Sequence, residues 1–102
     1  MKKGILLHEA DDDVGVAAMD LKAGEEIQAV TLDGAPVAPI KLVDDVPLGH
    51  KVAMRDMAEK KHILEYGSEI GYASTAIVKG AHVHVHNIKS LRWGGKSQIV
   101  ER

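Results

Sequence analysis

From Val14 onward the apolar and polar positions fall into a pattern that occurs three times. Laid without gaps, residues 14–30 (VGVAAMDLKAGEEIQAV) align with 50–66 (HKVAMRDMAEKKHILEY) and with 70–86 (IGYASTAIVKGAHVHVH). Ala17, Ala53 and Ala73 coincide, as do Leu21, Met57 and Ile77, and then Ile27, Ile63 and Val83. Asp20 matches Asp56, and Gly24 matches Gly80. Each copy reads as a short strand, a polar turn, an apolar anchor, a second turn and another strand. These segments are too short and too punctuated for helices of ordinary length. Three packed β-arches are therefore predicted, with at most single helical turns over 19–23, 55–60 and 75–79. Gly24 and Gly80 suit a turn that needs positive φ, and Lys60 fills that place in the middle copy at a conformational cost.

The segments between the arches add simpler expectations. Ile5-Leu6-Leu7 reads as a first strand. Asp11-Asp12-Asp13 reads as a solvated turn, because aspartate favours turns and the spacing lacks the alternating ligands and glycine of a calcium loop. Thr31 to Val37 is predicted as a hairpin turning at Asp33-Gly34, which places Pro36 and Pro39 on an edge strand or bulge. Asp44 to Gly49 is a further turn that delivers His50 and Lys51 to the second arch. The expected domain spans residues 1–93, with 94–102 as a flexible tail.

The third copy carries the candidate chemistry. In Ala81-His82-Val83-His84-Val85-His86-Asn87 histidine alternates with valine. A strand here would send Val83 and Val85 into a core and line the other face with His82, His84 and His86, about 6 to 7 Å apart. Neighbouring imidazoles can hold one metal ion, or one can act as a base while another binds. The equivalent positions of the first copy are Glu26, Gln28 and Val30, so the arch itself does not require histidine. His50 beside Lys51 is a second candidate, as acid and base or as an anion-binding pair. Arg92 can clamp a substrate carboxylate or, with Trp93, dock on another subunit.

Composition narrows the classes. The chain has 102 residues, enough for one domain. Hydrophobic residues make up 45%, yet there is no Phe, one Trp and two Tyr, so the core must be aliphatic and thin. A net charge of -2 with intermixed signs argues against a nucleic-acid partner. With no cysteine, any metal needs His, Asp, Glu or water as ligands. The run at Ile5 to Leu7 is too short for an export or membrane segment, and a soluble cytoplasmic protein is expected.

Three motifs complete the reading: Pro47-Leu48-Gly49-His50-Lys51, Tyr66-Gly67-Ser68-Glu69-Ile70-Gly71-Tyr72-Ala73 and Gly80-Ala81-His82-Val83-His84-Val85-His86-Asn87. In this order they resemble the SAF domain of the altronate and galactarate dehydratase family. The resemblance implies a mainly β fold, the SAF-type β-clip. It also implies a metal-assisted elimination, usually with iron(II), of water or sulfite from a hydroxy acid. The metal would bind the acid's carboxylate and hydroxyl, acidify the proton to be lost and stabilise the developing enolate. His84, His86 and His50 become candidates for acid and base, His82, His84 and His86 for metal ligands, and Arg92, Lys51 and Asn87 for substrate contacts. Family members often have Asp-Asn-Val where this chain has Asp12-Asp13-Val14. The end of the chain soon after Trp93 resembles the separate-subunit form, as in sulfo-lyase small subunits, and a large catalytic subunit is the expected partner. The rival reading is a non-catalytic binding module for a small carboxylated or sugar-like ligand or a partner protein, which would not need the imidazole row.

Overall fold

A computed structural model describes residues 1–66, 68–84, 86–91 and 99–101. The described residues form ten strands, β1 (Lys3–Leu7), β2 (Val14–Ala17), β3 (Glu26–Thr31), β4 (Pro36–Lys41), β5 (Lys51–Ala53), β6 (His62–Glu65), β7 (Ser68–Ala73), β8 (His82–Val83), β9 (Ile88–Leu91) and β10 (Ile99–Glu101). One sheet runs β4-β3-β1-β2-β5-β8 and the other β10-β9-β7-β6.

The three arches are present, and a fourth lies between the first and the second. Leu42, Val46, Gly49 and Val52 repeat the spacing of Ala17, Leu21, Gly24 and Ile27. The arches engage in pairs. Leu21 and Val46 exchange both main-chain hydrogen bonds, each 2.9 Å, and Met57 and Ile77 exchange theirs at 2.7 and 2.8 Å. The second turn of each arch leans on its partner. Gly24 N–H donates to Leu42 O and Gly49 N–H to Ala17 O, while Lys60 N–H donates to Ala73 O and Gly80 N–H to Ala53 O. Carboxylates reinforce three of the four turns: Asp20 accepts from Leu48 N–H, Asp45 from Ala23 N–H and Asp56 from Lys79 N–H. Two apolar clusters follow this pairing. Leu21, Ile27, Leu42, Val46 and Val52 share the first, and Ala53, Met57, Ile63, Ile77 and Val83 the second.

All four arch turns carry positive φ: Gly24 89°, Gly49 84°, Lys60 73° and Gly80 86°. Left-handed backbone costs a non-glycine residue roughly 1–2 kcal/mol. Full burial of an aliphatic side chain contributes about 1.5–3 kcal/mol. Met57 and Ile63, both buried, therefore outweigh the strain at Lys60.

Two expectations are corrected. The stretches 19–23, 55–60 and 75–79 form no helical turns, because Leu21, Met57 and Ile77 are drawn into extended bridges with partners far away in sequence. The acidic turn is not solvated at Asp12 and Asp13, which are 1% and 2% exposed. Asp12 accepts N–H bonds from Glu9 and Tyr66, and Asp13 accepts from Leu64 N–H and the Lys61 ammonium. These partners replace the water the carboxylates lose. The 31–37 hairpin forms with Gly34 at φ 92°, and Pro36 and Pro39 lie on edge strand β4, which bulges between Pro36 and Ala38, as expected.

The glycines of matching turns give a graded test. A Cβ at Gly24 would meet nothing within 4 Å, whereas one at Gly80 would sit 2.1 Å from the Lys41 carbonyl oxygen. Gly24→Ala should therefore cost about 1–2 kcal/mol in denaturant unfolding. Gly80→Ala should cost more, about 3 kcal/mol or above. Equal losses would contradict the turn packing described.

A candidate metal centre of three histidines

The imidazole row is only partly a strand. β8 ends at Val83, and beyond it Asn87 N–H donates to His84 O across a turn. The Asn87 side chain fixes this turn. Its amide oxygen accepts from His84 N–H at 2.9 Å and its amide nitrogen donates to His82 O at 2.8 Å. The expected strand over 82–86 is thus shortened by a side chain that competes for the backbone bonds a ladder would use. Val85, expected in the core, lies outside the described residues.

What the turn loses in regularity it gains in convergence. Antiparallel β5 and β8 pair Lys51 with Val83 and Val52 with His82. One further step along that register sets His50 across from His84, and their rings stack with centroids 4.3 Å apart. His50 Nδ1 lies 2.8 Å from His82 Nε2, so in the absence of an ion one of these nitrogens carries the shared proton. One nitrogen from each of His50, His82 and His84 falls within 4.8 Å of the others. His86 is not in this trio; its ring stands 5.2 Å from that of His82. Asp44, from the fourth arch, accepts His82 N–H at 2.9 Å and steadies the backbone beneath the cluster.

His82 and His84 favour the neutral imidazole. Loss of water pushes His82 below histidine's ordinary 6.5, helped by repulsion from His50, His86 and His84 and opposed by Asp44. His84 moves the same way through desolvation, then His50, His86 and the Lys51 ammonium. A neutral ring presents the lone pair a metal requires. Imidazole nitrogens bind such ions at about 2.1 Å, which puts two adjacent ligands roughly 3.0 to 3.4 Å apart. The 2.8 Å pair is already near that spacing, and a nitrogen of His84 lies within 4.8 Å of both.

The remaining candidates take different places. Lys51 reaches Glu65, Nζ to Oε1 3.7 Å, a carboxylate with no local sequence signal because only tertiary packing buries it. Outside these candidates, His8 packs edge-on against Tyr66, centroids 4.2 Å apart. Arg92 and Trp93 lie outside the described residues.

The lowered histidines have a consequence for stability. Each binds its proton less readily folded than unfolded, so the stability tied to the neutral form is present above 6.5 and lost as pH falls through the folded values. Thermal melts of the metal-free subunit should show a declining midpoint below pH 6.5, and a His82→Asn/His84→Asn double variant a flatter profile. An equally steep decline in the double variant would place the proton uptake elsewhere.

A family model for the altronate/galactarate dehydratase SAF domain matches residues 2–91. The chain is 37% identical over 94 residues to the (2R)-sulfolactate sulfo-lyase subunit alpha of Chromohalobacter salexigens, covering 91% of this chain and 100% of that one. It is 38% identical over 90 residues to the altronate dehydratase of Bacillus subtilis, 88% of this chain but 17% of that protein. The galactarate dehydratase (L-threo-forming) of Escherichia coli is 36% identical over 81 residues, 78% of this chain and 14% of its own length. The resemblance carried by the three motifs holds, and the chain belongs to the altronate and galactarate dehydratase SAF domain family.

Proposed function

We propose that this chain is the small subunit of a lyase that eliminates water or sulfite from a hydroxy acid, and that His50, His82 and His84 help to hold its divalent metal. The carrying observation is the convergence of three imidazole nitrogens within 4.8 Å from segments more than thirty residues apart in sequence. Kinship supports the setting. The relative that this chain matches along its whole length is itself an alpha subunit, and in the dehydratases the same segment is a minor part of a longer chain. A large partner subunit would then supply the remaining ligands and most of the substrate pocket. We place the complex in the cytoplasm, where a chain without cysteine loses nothing to a reducing environment. The paired arches are those of a β-clip.

The donor set suits iron(II), since imidazole is a good ligand for iron and other first-row ions. When bound, such an ion supplies Lewis acidity to a hydroxy acid about to lose a proton. The chain's own residues do the rest. Asp44 and Asn87 hold the backbone of His82 and His84, so the cluster meets an ion without large rearrangement. His86, beside the trio but not in it, is free to move a proton to or from the leaving group. Lys51, whose positive charge acts on His84, is the residue matched to the substrate's carboxylate.

The test uses the subunit assembled with its large partner. His50→Ala and His84→Ala should each lower metal retention or turnover about 10- to 100-fold. Melting temperatures should shift little, because both side chains lie outside the apolar clusters. Unchanged metal content together with unchanged turnover in both variants would reduce the chain to a docking module.

A further inference from the structure

The two arch pairs are built alike, and the first shows how such a pair closes on itself. Beside the Leu21–Val46 bridge, Lys22 and Asp45 form an ion pair, Nζ to Oδ2 3.8 Å, and Asp45 also accepts from Ala23 N–H. Asp20 accepts from Leu48 N–H. The turns of that pair then end in Gly24 and Gly49.

The second pair keeps only half of this arrangement. Asp56 accepts from Lys79 N–H, as Asp20 does from Leu48. Beside the Met57–Ile77 bridge, however, the residues equivalent to Lys22 and Asp45 are Ala58 and Ala76, both exposed. The ion pair and the capping carboxylate are lost together. The Glu59 N–H, equivalent to that of Ala23, has no acceptor among the described residues. Next to it Lys60 holds its φ of 73°, and no acid among the described residues pairs with its ammonium. Space does not explain the lysine. A Cβ at Gly24 or Gly49 would also meet nothing within 4 Å, yet glycine is used there. Water satisfies an exposed N–H, so the fold tolerates the opening, but the strain at Lys60 brings the turn no contact inside the chain.

We propose that a carboxylate of the large partner subunit completes this turn: it takes the place that Asp45 holds in the first pair, accepts the Glu59 N–H and pairs with the Lys60 ammonium, over the seat left by Ala58 and Ala76. The proposal rests on the reading of this chain as a small subunit, which its alpha-subunit relative supports. An ionised carboxylate is the side chain that accepts from a main-chain N–H and an ammonium at once, and such charge-assisted bonds are about twice as strong as neutral ones. Lysine in place of glycine then serves the interface at the expense of the isolated turn.

The experiment measures two quantities for each variant, the thermal midpoint of the full-length chain and its dissociation constant for the large subunit by calorimetric titration. Ala76→Asp restores within the chain the carboxylate that the first pair has. It should raise the midpoint by about 2 to 5 °C. It should also weaken binding at least about 10-fold, because the seat is filled and the incoming acid is repelled. Lys60→Gly should likewise raise the midpoint, by releasing strain, and weaken binding about 5- to 10-fold through loss of the counter-ion. Asp45→Ala, made on the closed pair, should do the reverse, lowering the midpoint with binding unchanged. Should Ala76→Asp not fold, Lys60→Gly carries the comparison, since it removes strain and adds no charge. Undiminished affinity in Ala76→Asp and Lys60→Gly overturns the proposal, and so does a lowered midpoint in a folded Ala76→Asp, which would mean that the turn is not open. Failure of the small-subunit reading shows separately, as a wild-type chain that binds no large subunit. Wild-type binding that both variants retain in full defeats the shared carboxylate alone.

Discussion

Two reciprocal main-chain contacts, Leu21 with Val46 and Met57 with Ile77, hold the arches in pairs, and the rest of the molecule follows from them. A single arch cannot bury its anchor. Two arches face to face bury both anchors and satisfy the backbone groups of each other's turns, which solves the accounting that a buried turn otherwise fails. The cost is positive φ at all four turns, accepted by three glycines and by Lys60. Because the first arch pairs with the fourth and the second with the third, the pairs share β5, which closes the fourth arch and opens the second.

That shared strand explains where the site forms. His50 stands where the fourth arch hands over to the second, and β5 pairs with β8 of the third. Residues from arches distant in sequence are thereby set across one ladder, and the imidazoles meet without any long loop to carry them. Asp44 reaches the same spot from the fourth arch. The neutral state of His82 and His84 follows from the crowding: each ring is desolvated and repelled by its neighbours, so lone pairs are exposed where a cation is wanted.

Much of this was legible in the sequence, for reasons that can be named. The arches showed because Leu21, Met57 and Ile77 recur at fixed offsets from Gly24, Lys60 and Gly80, and the strain expected at Lys60 is present at φ 73°. The fourth arch was hidden because its closing strand is also the second arch's opening strand, although Asp45-Val46 before Gly49 repeats Asp20-Leu21 before Gly24. His82, His84 and His50 were readable as candidates, but their union was not, since it depends on the β5–β8 register. The burial of Asp12, Asp13 and Glu65 was illegible. Their partners at Tyr66, Leu64 and Lys51 come from other elements, and composition alone makes an acidic run look like solvated surface.

The most direct measurement is a crystal structure of the metal-loaded two-subunit complex, with anomalous scattering used to locate the ion. The account predicts the ion within bonding distance, about 2.0 to 2.2 Å, of nitrogens from His50, His82 and His84. An ion held entirely by the large subunit, with the His50 to His82 contact intact and facing away from it, would contradict the account.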